Sequence, residues 1–151
     1  LVDDDTNWKS DIFVRDRQTG TTERVSVSSS GEQGDEHSYS ASISADGRFV
    51  AFMSRASNLV PGDTNDLWDI FVHDRKTKET TRVSVSSTGE EANGSSWNLS
   101  ISADGRFVVF SSEASNLVSG DTNGKEDIFI HDRCPGLICL PIKLYMPVAV
   151  R

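Results

Sequence analysis

Cysteine is scarce in this sequence, two residues in 151, and both lie in the one stretch that does not repeat, at Cys134 and Cys139. Two thiols are too few for a zinc module. Flanking the turn signal Pro135-Gly136, they read as a disulfide suited to an oxidising compartment, the alternative being two free thiols in an apolar tail. Basic residues are outnumbered, 15 Lys and Arg against 23 Asp and Glu, for a formal net charge of -8. That balance argues against nucleic acid as a partner, because such affinity comes from clustered cations, and it suits cations instead. Long apolar runs are also lacking. None approaches the roughly 18 residues that cross a bilayer, so no membrane span is expected. The opening Leu1-Val2-Asp3-Asp4-Asp5 lacks the layout of a signal peptide. Nor is there the 3.6-residue apolar spacing of a helix.

What the sequence does have is self-similarity. Asp5-Thr6-Asn7 recurs as Asp63-Thr64-Asn65 and Asp121-Thr122-Asn123, a spacing of 58 residues each time (63 − 5 and 121 − 63). Ser42 to Val50 recurs as Ser100 to Val108, and Arg24-Val25-Ser26-Val27 as Arg82-Val83-Ser84-Val85. A repeat of this kind decides the fold before any single element does.

Each period reads as four short strands. The first is expected at Ser40 to Ser44, closed by Ala45-Asp46-Gly47, whose Asp and Gly tolerate a tight hairpin. The second is Arg48 to Ser54, apolar on both sides, and the third is Asp69 to Asp74, with Ile70 and Val72 on one face and Phe71 and His73 on the other. The fourth is Thr81 to Ser87, where Val83 and Val85 alternate with polar residues. Middle strands buried on both faces and an outer strand with a polar face describe a sheet wedged between neighbouring sheets. The expected fold is therefore all-β, a series of four-stranded antiparallel β-propeller blades, rather than a two-sheet sandwich or a solenoid.

The string Ser42-Ile43-Ser44-Ala45-Asp46-Gly47-Arg48-Phe49-Val50-Ala51-Phe52 and its partner Ser100 to Phe110 resemble the WD-like propeller repeats of the TolB type. The long Ala56 to Val72 connection is similar to that of secreted or surface proteins of bacteria. The resemblance implies a propeller fold and an extracellular or cell-surface location. It implies no single activity, because such propellers serve as binding platforms and assembly modules.

The phase of the repeat divides the chain into a half blade (1–33, third and fourth strands), a complete blade (34–91), a blade lacking its repeat-type fourth strand (92–133) and an apolar tail (134–151). About two and a half blades do not close, since propellers have four to eight. Either the chain is part of a larger propeller, or other copies complete its blades by strand addition, with the tail as a substitute or donated strand.

The loop before each third strand offers candidate metal ligands: Asp5, Asn7 and Asp11; Asp63, Asn65 and Asp69; Asp121, Asn123 and Asp127. Calcium collects six to eight oxygens, and acidic or amide side chains at alternate loop positions converge on one point, in a pattern that resembles a shortened calcium loop of integrin-type propellers. The same residues also build Asx turns with no metal. No catalytic residues are expected: Gly-x-Ser-x-Gly is missing and the serines recur as strand residues. Trp8, Trp68 and Trp97, in or near loops, could stack on sugars or on a partner chain. The leading expectation is an extracellular structural module that assembles with copies of itself into a filament or surface layer, with calcium-stabilised loops. A carbohydrate- or peptide-binding propeller segment is the second.

Overall fold

Nine antiparallel strands and no helix make up the regular structure of the computed structural model, which describes residues 2–133. The expected disulfide Cys134 to Cys139 and the tail strand lie outside the described residues. β1 (Phe13–Arg15) and β2 (Thr22–Arg24) form a two-stranded sheet. β3 (Ser38–Ile43), β4 (Phe49–Ser54), β5 (Asp69–Asp74) and β6 (Glu79–Arg82) form a four-stranded meander. β7 (Ser96–Ile101), β8 (Phe107–Ser112) and β9 (Asp127–Asp132) form a three-stranded one. All three sheets are built of propeller-type blade strands in chain order.

The turn chemistry explains the hairpins. Asp46 accepts the Ser44 hydroxyl and the Arg48 N–H (3.0 Å), and Gly47 sits at φ 71, so the Ala45-Asp46-Gly47 turn reverses the chain as its residues require. Arg48 then closes the far end of β5 by a two-pronged bond to Asp74 (2.9 and 2.7 Å).

Two strands depart from the sequence expectation by more than one residue. The first strand begins at Ser38 rather than Ser40, because a bulge between Tyr39 and Ser42, with Ser40 at φ 51, absorbs an irregularity that periodicity does not reveal. The fourth strand is Glu79–Arg82, not Thr81 to Ser87. Val83 still donates to the Ile70 carbonyl (2.8 Å), but the Ile70 N–H is taken by the Ser84 hydroxyl (3.1 Å), and the ladder ends there. Val83 is buried in the core, and Val85 keeps one isolated bridge to Glu91.

The second sheet is packed on both faces. Ile70, Val72 and Ala51 meet Val108, Phe110 and Leu117 of the third sheet. On the opposite face Phe52 and Phe71 stack at 5.9 Å beside Leu59 and against Ile12, which leads into β1. The third sheet repeats the inner half of this plan, with Phe110 and Phe129 also stacked at 5.9 Å. Its outer face is uncovered among the described residues: Ile128 is 70% exposed and Ile130 66%, where their counterparts Ile70 and Val72 are at 0%.

Candidate functional site

The Asp-Thr-Asn loops lead into β1, β5 and β9, and in the second and third sheets strand pairing fixes the loop's last carboxylate, Asp69 or Asp127. In the second sheet this is Asp69, fully buried, whose carboxylate accepts the Ser84 hydroxyl and the Asn65 side-chain amide (2.8 Å). Asn65 is not aimed at a shared centre with its oxygen. Its Oδ1 accepts the Leu67 N–H (2.7 Å), and its amide also donates to the Ala92 carbonyl (3.1 Å), which is the bonding of an Asx turn.

The carboxylates that do converge are Asp63, Asp69 and Glu91, whose oxygens lie within 4.8 Å of one another. The cation among them is Arg82, a buried side chain whose Nη1 lies 2.6 Å from Glu91, 3.4 Å from Asp63 and 3.6 Å from Asp69. Thr64 donates its N–H and its hydroxyl to Glu91 (both 2.9 Å), tying the loop to the chain that follows β6. One positive charge thus faces three negative ones in a dry place. Burial, with Asp69 and Glu91 adding repulsion against the pull of Arg82, pushes Asp63 up to about 7. Burial also raises Asp69, against the bonds from Ser84 and Asn65. For Glu91, burial is outweighed by the two bonds from Thr64 and by Arg82, and its carboxyl is held below the usual range.

The first loop has the same plan with one exchange. Arg24 faces Asp11 (3.5 Å), Asp5 (3.9 Å) and Asp4 (3.0 Å), and Ser26 donates to Asp11 as Ser84 does to Asp69. At the position of Glu91, however, stands Gln33, whose amide donates to Asp5 (3.2 Å) and Asp11 (3.0 Å). Asn7 again makes an Asx turn, accepting the Lys9 N–H (2.9 Å) and donating to Gly34 (2.6 Å). In the third loop Asn123 accepts the Lys125 N–H (2.6 Å) and donates to Asp127 (2.9 Å), while Asp121 lies beside them in the same loop.

The calcium expectation does not fit the first two loops. The asparagines are bonded as turn formers, and a guanidinium already stands where the oxygens converge. A divalent ion there would have to displace a buried arginine. What the arrangement does chemically is lock each loop to the strand that follows it by a charge-assisted cross-link. Sequence reasoning missed Arg24 and Arg82, Ser26 and Ser84, and Gln33 and Glu91, though all recur at the repeat spacing. The usable signal was an arginine repeated in a strand otherwise made of Ser, Thr and Val, since a buried carboxylate needs a counter-charge.

The histidines have structural partners: His73 Nδ1 bonds Thr80 Oγ1 (2.9 Å), and His37 Nδ1 accepts the Ser10 N–H (3.0 Å). Trp97 lies in β7 and donates to Glu126 (3.0 Å), Trp68 is half-buried beside Tyr39, and Trp8 is open to solvent.

No family model and no curated protein matches the chain. Among solved structures it is similar to the tricorn protease (TM-score 0.49, 21% identity), covering 71% of this chain and 9% of that one. It is also similar to TolB from Acinetobacter baumannii (TM-score 0.46, 19% identity), covering 84% of this chain and 25% of that one. The chain spans a quarter of TolB's length and less than a tenth of the protease's. The blade assignment stands on the three sheets themselves, their repeated register and their face-to-face packing.

Proposed function

We propose that this chain is a structural assembly module acting outside the cell, in which copies stack blade upon blade into a filament or surface layer. The observation that supports it is the outer face of the third sheet. Ile128 and Ile130 occupy positions that the second sheet buries completely, and Val109 (38% exposed), at the place of the buried Ala51, extends the same apolar surface. Covering an isoleucine contributes about 1.5–3 kcal/mol, so a partner that fits this face gains several such terms. A second copy offers a matching surface in the outward side of its first sheet, where Phe13 takes the place that Phe71 and Phe129 hold in the others. Contacts of this head-to-tail kind repeat a register already used inside the chain, and they generate a ring or a filament. The loops are stiffened by Arg24 and Arg82 in the first two sheets; calcium has a place in this reading only at the third loop, Asp121, Asn123 and Asp127.

The test is a double variant, Ile128→Lys with Ile130→Lys, compared with the unaltered chain by sedimentation velocity. The proposal expects the unaltered chain to sediment as a concentration-dependent oligomer and the variant as a smaller species of unchanged circular dichroism. Oligomers of equal size in both would place the contact elsewhere.

A further inference from the structure

Trp8 is the most exposed large apolar side chain among the described residues, at 97%, and it adopts a left-handed backbone conformation, φ 59. The same loop position in the next two copies holds Asp66 (φ 56) and Gly124 (φ 61), residue types that take this conformation readily. A tryptophan does not. Its ring makes no hydrogen bond or ring contact among the described residues, so neither backbone nor side chain repays its presence in the fold. A residue that is strained and unburied at once points to a contact with another molecule.

The chain that follows Trp8 is bonded to a row of rings. Ser10, two residues on, donates its N–H to His37 Nδ1 (3.0 Å), and its hydroxyl meets the Tyr39 hydroxyl (3.3 Å). His37 and Tyr39 stack with centroids 5.7 Å apart and planes 11° off parallel, and Tyr39 lies 5.6 Å from Trp68. With Nδ1 accepting, neutral His37 carries its proton on Nε2. Next to His37 in the chain is Glu36, its carboxylate paired with Lys9, and two residues before Trp68 is Asp66.

We propose that Trp8, His37, Tyr39 and Trp68 form a binding platform for a neutral polysaccharide of hexopyranose units with equatorial hydroxyls. Such a sugar has a broad C–H face that stacks on an aromatic ring, and a rim of hydroxyls that needs donors and acceptors at the ring edges. The rings supply the first, and the Tyr39 hydroxyl, the indole N–H groups, His37 Nε2 and Glu36 supply the second. A protein partner fits less well: the row contains no aliphatic side chain, in contrast to the Ile128 and Ile130 face. An acidic polysaccharide is opposed by Glu36, Asp66 and the net charge of -8. This inference does not rest on assembly, whose exposed apolar residues Ile128 and Ile130 belong to the third sheet.

Affinity gel electrophoresis of the whole chain in hydroxyethylcellulose, in mixed-linkage β-glucan and in polygalacturonate tests it. Retardation is expected in at least one neutral gel and not in polygalacturonate. Trp8→Gly and Tyr39→Ala are each expected to weaken it about tenfold, the scale of one lost stacking contact. Because glycine relieves the strained backbone, Trp8→Gly should melt no lower than the unaltered chain while binding is lost, which a structural role for Trp8 does not allow. No retardation in either neutral gel, retardation of both variants equal to that of the unaltered chain, or retardation by polygalacturonate alone would each overturn the proposal.

Discussion

Replacing Glu91 by glutamine turns the second loop cluster into a copy of the first, where Gln33 already holds that place, and its effect on stability against pH can be worked out in advance. In the folded chain Asp63 is held at about 7 against an ordinary 3.8. Folding therefore favours its protonated form, so its contribution is complete below 3.8 and is lost as pH rises through about 7. At 1.36 kcal/mol per unit, roughly three units correspond to about 4 kcal/mol, which solvent at the loop mouth screens to roughly 2 kcal/mol. For a chain of 151 residues that is a fall in melting temperature of about 6 °C between acid and alkaline sides. Asp69, also raised by burial, acts in the same direction. His73 and His131, lowered by burial, act oppositely as pH falls below 6.5, but equally in both proteins. In Glu91→Gln one repelling charge is gone and an amide faces Asp63, as Gln33 faces Asp5 at 3.2 Å. The variant should lose at most about half as much stability between pH 5 and pH 8 as the unaltered chain. Differential scanning calorimetry across that range measures it. Parallel curves for the two proteins, or a steeper fall in the variant, would refute the reasoning.

Arg82→Met removes the cation that faces three converging carboxylates and should cost about 3–5 kcal/mol by urea denaturation at pH 8, with less lost at pH 5, where Asp63 is protonated. Calcium is expected to leave the melting temperature unchanged in the presence or absence of chelator for a chain carrying Asp121→Asn and Asp127→Asn; a rise that further requires Asp63 would show that an ion displaces Arg82. Gly105→Ala should destabilise by roughly 2–3 kcal/mol in thermal melts. The added Cβ would stand 2.1 Å from Phe49 Cδ2 of the neighbouring sheet at a position with φ +74, whereas Gly62→Ala, equally left-handed but in open space, should cost less. The Arg48 to Asp74 pair holds the Asp74 carboxyl well below its ordinary value, so its contribution is lost as pH falls below 3.8, and Asp74→Asn should flatten the acid limb of the same curves.

The parts of the fold that are local in cause were legible in the residues. Asp46-Gly47 announces its hairpin, and Ile70, Phe71 and Val72 announce a strand buried on both faces, because each depends on neighbours a few positions away. The end of β6 was not legible, since it is set by the Ser84 hydroxyl capturing the Ile70 N–H fourteen residues back, and a serine in an alternating strand gives no sign of that. The same distance in sequence hid the loop chemistry. Asp63, Asn65 and Asp69 look like a ligand set when read as a segment, but Arg82 and Glu91 arrive from beyond the next strand and change a cation-seeking loop into an ion-paired one. Trp8 stood out as an aromatic in a loop; only its backbone angle and its exposure make it unlike the partly buried Trp68.

The measurement that bears most directly on the assembly reading is the mass of the chain in solution, by light scattering over a wide range of protein concentration. If the Ile128 and Ile130 face docks on a second copy, the mass rises with concentration through multiples of 16.5 kDa. A single 16.5 kDa species that stays monodisperse at the highest concentrations would contradict it.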